Sequence, residues 1–540
     1  MALVRPVVGR SVVSTTRGIV AANHPLAAAA GVRMLERGGN AADAAIAANA
    51  MMGLVEPASN GIGGDLFVLY NDAKSGKSFG LNASGYAPAG LTVEFLRGKG
   101  LVEMPGTGIH TVTVPGAVAG WAALQKRFGA LPLADLLAPA ITYAEQGFPV
   151  TEIVAEGWAH CAERLVEHRP AAQTYLPGGQ PPVTGQVFKN PDLAASLRRI
   201  AEHGPDGFYR GITAQAIVRL SQELGGVMTE EDLHAYEPEW VTPIETIYRG
   251  WTIQEIPPNS TGIAALLMLN IMQQFPLQSW GFHSARALHV MIEAKKLAFA
   301  DLIRYVGDPK FSRLPLELLL STGYSAGRAQ QIDMKQAAAH VEPGALDGFT
   351  NSQGHDTIYL CAVDRQGNIA SLIQSIYAGF GSALVPDGMG FALHNRGALF
   401  TLLPNHPNTL APRKRPLHTI IPGFMEKDGV RIGFGIMGGF NQPQAHAQFV
   451  ANIADFDLTI QEALEAGRFT KPTFDGRDVL IEPWIPEGVV EELIELGHEP
   501  FVTLPRSGAF GWGHAVMSTP SGVHFGASEP RHDGAAIPEV

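Results

Sequence analysis

Thr357 opens a run of strand-forming residues, Thr357-Ile358-Tyr359-Leu360-Cys361-Ala362-Val363, that reads as a strand buried on both faces. A polar, small-residue stretch precedes it and ends in the loop-like segment Asp347 to Asp356. After it, Asp364-Arg365-Gln366-Gly367-Asn368 reads as a turn in which Gly367 can take a positive φ, and Ile369 to Ser375 returns as the partner strand. A register symmetric about Gln366 pairs Val363 with Ile369 and Thr357 with Ser375. Opposed side chains in such a pair lie about 4.5–5.5 Å apart at Cβ, so two hydroxyls meet where the hairpin begins. A one-residue slip would send them to opposite faces. Hydroxyl pairs are ordinary in sheets. The context singles this one out, because a nucleophile-type residue comes first in a strand, directly after a flexible polar loop.

Other chemistry-bearing patterns carry less. The turn Gly61-Ile62-Gly63-Gly64-Asp65 superficially resembles a phosphate loop, yet no Lys-Ser/Thr follows and it leads into the strand-like Leu66 to Tyr70, so a structural turn is expected. His289, Glu293 and Lys296 share one face of a long helix predicted from about Ser284 to Val306. No second histidine or distant third ligand announces itself, so these are read as the polar flank of a packed helix, and no metal or other cofactor is expected. Two cysteines, Cys161 and Cys361, offer neither a disulfide framework nor a zinc spacing, and are expected to act as small buried hydrophobes.

The chain as a whole must hold the hairpin in place. Its 540 residues are 46% hydrophobic and 17% charged, a globular balance. The net charge of −12 argues against a nucleic-acid partner. The first sixteen residues lack the apolar core of a secretory signal, and no apolar run approaches a bilayer span, so a cytoplasmic protein without membrane contact is expected. Residues 24–52 read as two helices, the second alanine-rich and capped by Asn40. Residues 115–235 read as mainly helical, and a loop at Pro257 to Gly262 gives way to a helix over Ile263 to Met272.

Asp356-Thr357-Ile358-Tyr359, with Val363 to Asn368, resembles the self-processing region of the gamma-glutamyltransferases, members of the N-terminal-nucleophile hydrolases. The likeness continues through Gly38-Gly39-Asn40-Ala41-Ala42-Asp43-Ala44, the Gly61 to Asp65 turn, Thr113-Val114-Pro115-Gly116, Glu293 to Asp301 and Gly307-Asp308-Pro309. Beyond the hairpin it includes Lys414-Arg415-Pro416-Leu417, Gly438-Gly439 and Gly526 to Arg531.

The resemblance implies an α/β (α+β) fold, the four-layer αββα sandwich of two stacked sheets flanked by helices. It implies a cleavage site between Asp356 and Thr357, giving a large fragment, 1–356, and a small fragment, 357–540, both woven into one unit as a heterodimer that can assemble further into a homo-oligomer. Thr357 would then be the nucleophile. Its freed α-amine, with an ordinary pKa of about 7.7–8.0, would serve as base. Ser375 would support it, and Gly438 and Gly439 would offer backbone N–H groups to the oxyanion. The same two glycines also read as a tight turn after a strand over Ile432 to Ile436, a reading compatible with that role.

The substrate clamp departs from the family pattern. Ser84 stands where an arginine before Ala-Pro would hold the substrate's α-carboxylate, and Tyr377 replaces an asparagine. In Asn395-Arg396-Gly397-Ala398-Leu399, Arg396 replaces a glutamine and Leu399 the aspartate that grips the amine, while His418-Thr419 stand where two serines are usual. Tyr377, Asn395, Arg396, His418 and Thr419 are thus the expected substrate-binding residues, with Arg396 suited to a carboxylate. The function expected is hydrolysis of small-molecule amides, gamma-glutamyl amides such as glutathione or related ones, with acyl transfer secondary. Two alternatives stand beside it: an acylase for non-glutamyl amides, and an unprocessed, non-catalytic binding protein.

Overall fold

The computed structural model describes residues 9–344 and 357–540. The expected loop before Thr357, with Asp356 and its side of the cleavage site, lies outside the described residues, as does the start of the N-terminal stretch.

Two seven-stranded sheets form the centre. The first runs Ala535–Pro538, Ile19–Ala22, Ile358–Val363, Ile369–Ser375, Asp65–Asp72, Lys77–Ala83, Glu239–Val241, every neighbour antiparallel. The second runs Val13–Thr15, His524–Ser528, Gly513–Ser518, Val430–Ile436, Gly423–Lys427, Trp251–Glu255, Ile244–Tyr248, again antiparallel throughout. Strands from before and after residue 357 are mixed in both.

The layers follow from side-chain alternation. Tyr359, Cys361 and Val363 point between the sheets, where they pack with Phe67, Ile373, Phe424 and Val516. Ile358, Leu360 and Ala362 point the other way, into a core shared with the helices Pro25–Glu36 and Ala41–Val55. The second sheet's outer face packs on the helices Gly262–Met272, Ala285–Tyr305 and Asn441–Ala454. The result is the αββα sandwich. Among the described residues, no helix is long and apolar enough to cross a membrane.

Local signals act as expected. Asn40 caps its helix by accepting from Ala42 and Asp43 N–H while Asp43 accepts from Asn40 N, a reciprocal box. Ser284 caps the long helix. In the hairpin, Val363 pairs with Ile369 and Ile358 with Gln374, the register symmetric about Gln366, with the strand beginning at Ile358.

Gly367 takes φ +81°, and a Cβ there would come within 2.7 Å of Arg431 Nη2 and 2.9 Å of Ser518 Oγ. A branched side chain would add left-handed strain of roughly 1–2 kcal/mol to that crowding. Gly367→Val is therefore expected to lower the thermal unfolding midpoint, and an unchanged midpoint would show that the turn tolerates a side chain.

Candidate active site

Three neighbouring strands end in a row of polar residues. Ser375 pairs with Asp65, and one step past the Ile358–Gln374 pair, Thr357 faces Ser375 from the other side. Alternation directs all three between the sheets, and all three are fully buried. Thr357 Oγ1 lies 3.2 Å from Ser375 Oγ. The strand ends approach this closely because Gly64 precedes Asp65: a Cβ on Gly64 would sit 2.3 Å from the Ser375 carbonyl oxygen.

Ser375 Oγ also accepts from Arg396 Nη2 at 2.8 Å and from the Tyr377 backbone N–H at 2.8 Å. Tyr377 reaches this position with φ +79°, a left-handed conformation that a bulky residue adopts only where its surroundings enforce it. Its ring lies beneath the Arg396 guanidinium, 4.5 Å from the centroid, and burial raises its hydroxyl to about 12. Arg396 Nη1 donates to Thr419 Oγ1 at 2.8 Å. Burial lowers the guanidinium to about 10, with Asp65 and Tyr377 opposing the shift, so it stays charged near neutral pH.

Behind Arg396 stands Asp65, which the sequence reading placed only in a structural turn. Its Oδ2 lies 2.9 Å from His418 Nε2, 3.0 Å from His394 Nδ1 and 3.7 Å from Arg396 Nε. Its Oδ1 accepts from Gly85 N at 2.8 Å. Burial alone would raise this carboxyl, but His394 and His418 more than offset that and hold it well below the usual carboxylate range. His418 Nδ1 accepts a long bond from Ile420 N (3.4 Å), which leaves Nε2–H to donate to Asp65. Burial, reinforced by the Arg396 charge, lowers His418 to about 3 and keeps it neutral. His394, also missed from sequence, immediately precedes Asn395-Arg396, and its Nε2 donates to the Thr113 carbonyl at 2.9 Å. The signal for both was adjacency, an acid closing the glycine turn and an imidazole beside a buried arginine.

The remaining expected residues take different places. Asn395 commits its amide to backbone, accepting from Ala378 N at 3.0 Å and donating to Gly106 O at 2.8 Å, so it fastens the loop that carries Arg396. Ser84 follows in the strand-end row and is fully buried, its hydroxyl 2.7 Å from Asn82 Oδ1. The cation at this site thus comes from the Arg396 loop, while Leu399 packs into the apolar core.

Gly438 (φ +126°) and Gly439 (φ +58°) form the turn between the Val430–Ile436 strand and the Asn441–Ala454 helix. That strand crosses the hairpin closely, Gly433 over Ile369 and Gly435 against the Tyr359 ring, so it travels toward the Thr357 end. Ile436 N donates to His446 Nε2 at 3.2 Å, and His446 Nδ1 is 2.7 Å from Glu255 Oε1, which pins the strand just before the turn. Gly438 and Gly439 carbonyls accept from Asn441 N and Gln442 N, whereas their own N–H groups have no acceptor among the described residues. Two buried, unpaired N–H groups at a helix N-terminus suit a developing anion.

The metal reading is corrected in one respect. His498, from a distant loop, joins His289 and Glu293, and the three buried groups bring ligand-type atoms within 4.8 Å of one another. Most of their polar atoms are nevertheless taken by protein partners, His498 Nδ1 excepted. His289 Nε2–H donates to Asp333 O (2.9 Å), so Nδ1 accepts from His498 Nε2–H (2.8 Å), while Glu293 is paired with the Lys296 ammonium at 2.6 Å. With that cation in place, the cluster reads as a fastening between helix and loop.

Comparisons with known proteins find similarity along nearly the whole chain. Residues 27–539 match the family model described as gamma-glutamyltranspeptidase. The glutathione hydrolase-like YwrD proenzyme of Bacillus subtilis (strain 168) is 35% identical over 528 residues, covering 97% of this chain and 98% of its own. The acylase ACY 1 proenzyme of Pseudomonas sp. (strain SE83) is 34% identical over 539 residues, 97% of this chain and 94% of its own. Among solved structures, cephalosporin acylase from Bacillus halodurans superposes with a TM-score of 0.92 at 43% identity, covering 99% of this chain and 98% of that one.

The neutral His418 has a pH consequence. Below its ordinary pKa of about 6.5 the unfolded chain binds a proton there, and the folded chain, with His418 near 3, does not. Stability contributed by this residue is present above 6.5 and lost as pH falls toward 3, at roughly 1.4 kcal/mol per pH unit. In urea unfolding between pH 6 and 4.5, His418→Gln should lose stability less steeply than wild type by about that slope. Equal slopes would mean that His418 is protonated in the fold.

Proposed function

The chain belongs to the gamma-glutamyltranspeptidase family, and from that premise we propose that it is a self-cleaving amide hydrolase whose nucleophile is the Thr357 hydroxyl. The observation that carries this reading is Thr357 Oγ1 at the buried head of its strand, 3.2 Å from Ser375, with the Gly438-Gly439 turn arriving at the same end of the sheets.

In self-cleavage, Thr357 Oγ bonds to the Asp356 carbonyl carbon. The Asp356–Thr357 C–N bond breaks, and the hydroxyl proton ends on the released nitrogen. This leaves an ester and a free α-amine. Water then hydrolyses the ester, giving the Asp356 carboxylate and restoring the Thr357 hydroxyl. In turnover the α-amine accepts the hydroxyl proton as Oγ attacks a substrate amide, and passes it to the departing amine. The N–H groups of Gly438 and Gly439 meet the oxyanion, a contribution of ~2.7–4 kcal/mol per donor in comparable sites. Water releases the acyl group, and a second amine in its place gives transfer. Residues 1–356 and 357–540 stay together as the working heterodimer, because each sheet takes strands from both.

The acyl group is where the site departs from a glutamyl clamp. Leu399 is apolar and buried where an acid would grip the α-amine, and Ser84 spends its hydroxyl on Asn82. The Leu399 position favours a second reading, an acylase for amides whose acyl part lacks an α-amine. A gamma-glutamyl, glutaryl and simple-amide panel on the processed enzyme separates the two. Glutaryl amides should be turned over with kcat/KM at least equal to their gamma-glutamyl counterparts, and a strong gamma-glutamyl preference with efficient transfer to peptides would return the clamp to its glutamyl form.

Intact-mass measurement tests the nucleophile directly. The purified protein should appear as two fragments divided at Asp356–Thr357, Thr357→Ala should persist as one 57.5 kDa chain without turnover, and Thr357→Ser should retain part of both activities. A wild-type chain that stays whole would instead mark a non-catalytic protein.

A further inference from the structure

The helix that follows the Gly438-Gly439 turn begins with more donors than the protein answers. Asn441, its first residue, is only 6% exposed, yet neither its amide nitrogen nor its amide oxygen has a hydrogen-bond partner among the described residues. Gln442 beside it is fully buried. Its Oε1 accepts from Ile421 N at 3.0 Å, which sets Nε2 as a donor, and that nitrogen is without a partner among the described residues too. With the N–H groups of the two glycines, four donor groups gather there without a protein acceptor among the described residues. Buried polar groups are almost always paired, because a bare one has given up its water for nothing. Asparagine at a helix start ordinarily acts as a cap, but the cap position here is Phe440, and the Asn441 amide bonds nothing in its own helix.

The Asn441 amide lies against the turn. A Cβ built on Gly438 would stand 3.4 Å from Asn441 Nδ2, and one built on Gly511 would stand 3.0 Å from the same atom. Gly511 approaches so closely because it has no side chain: a Cβ there would meet the Met437 carbonyl oxygen at 1.8 Å. Alongside, Met437 N donates to Trp512 O at 2.9 Å and holds the two segments together. The turn arrives at the level of Thr357. Gly435 packs on the Tyr359 ring, and two residues onward along its strand lead to Met437, as two residues back along the other lead to Thr357. No bond fixes the rotation of the Asn441 amide, so its NH2 is free to meet an acceptor arriving beside the Gly438 N–H.

We propose that Asn441 is a further catalytic residue: its amide NH2 donates to the oxyanion beside the Gly438 and Gly439 N–H groups. The proposal rests on the reading in which Thr357 Oγ attacks and the glycine turn meets the negative oxygen. As Oγ bonds to the carbonyl carbon, the π electrons of the carbonyl move onto its oxygen, and the Asn441 N–H answers the charge that appears there. When the carbonyl re-forms, those electrons return, the C–N bond breaks, and the amine leaves with the proton that the Thr357 α-amine had taken from the hydroxyl. The Asn441 amide neither gives nor takes a proton. The carbonyl oxygen is common to every acyl group, so this contribution is independent of what the acyl part carries, unlike a contact between Arg396 and a substrate carboxylate.

The test uses the full chain with Asn441→Ala and Asn441→Ser, assayed after processing on a gamma-glutamyl, a glutaryl and a simple neutral amide, with intact mass and thermal unfolding recorded alongside. Loss of one oxyanion donor lowers kcat by about 10²–10³-fold in comparable enzymes, and Asn441→Ala should fall on that scale, by the same factor on all three amides and with KM little changed. Asn441→Ser, which keeps a donor hydroxyl, should recover part of the loss. A kcat near wild type, a loss confined to one acyl group, or a loss that only follows a smaller folded fraction would each overturn the proposal. A variant that stays whole at an unchanged unfolding midpoint supports it, because attack on the Asp356 carbonyl raises an oxyanion in the same way. Should Asn441→Ala fail to fold, Asn441→Asp, which keeps the shape and replaces the NH2 by oxygen, decides on the same readouts. Thr357→Ala separates the two failures: turnover persisting there refutes the nucleophile itself, whereas wild-type kcat in Asn441→Ala strikes only the added donor.

Discussion

A guanidinium buried without solvent must have its charge answered, and the architecture around Arg396 meets that demand while leaving Nε 3.7 Å from Asp65 without a hydrogen bond. Asp65 answers the charge, Ser375 and Thr419 take the η nitrogens, and the Tyr377 ring supports the face. Removing one partner of such a buried pair costs several kcal/mol, because the other charge remains. Each partner is in turn fixed by something else. Asp65 is held by His418, His394 and the Gly85 N–H, and Ser375 by its place opposite Thr357. The strained backbone at Tyr377 fits this dependence, since its N–H completes the Ser375 hydroxyl.

The hairpin register was legible in the sequence because it depends on local rules: a strand of β-formers, a turn glycine and a return strand of equal length. The same holds for the Asn40 cap and the Ser284 start of the long helix. Family-matched positions located Ser375, Arg396, His418 and Thr419, and the structure gathers these four around Asp65. Asp65 itself was not legible as a site residue, because its partners lie more than three hundred positions away and a carboxylate closing a glycine turn reads locally as part of the turn. His498 eluded the sequence for the same reason, being 209 residues from His289. Asn395, expected from sequence to bind substrate, uses its amide oxygen and nitrogen to bond loop backbone.

On the proposed reading, the fold keeps its chemistry while changing what it acts on. Ser375 sits on a strand, Thr357 directly before one, and the Gly438-Gly439 turn between a strand and a helix, so the sheets hold all of them in place. Ser84 sits just past a strand end and Arg396 and Leu399 on a single turn of 3-10 helix, where a substitution alters a contact without moving the sheets. Exchanging a cation between the Ser84 and Arg396 positions moves the charge from one loop to another while the nucleophile's frame stays intact.

The mixing of strands from both sides of residue 357 in each sheet bears on the order of events in the life of the chain. Residues such as Asp65 and Ser375 become neighbours only after the first sheet has assembled from segments far apart in sequence. The surroundings of Thr357 therefore come into being with the finished sandwich and not before it. On the proposed mechanism, a bond cut before Thr357 is thus a record that folding was completed. It also makes that completion a one-way step: the pieces, once pulled apart, face a two-body association that the original chain never had to make.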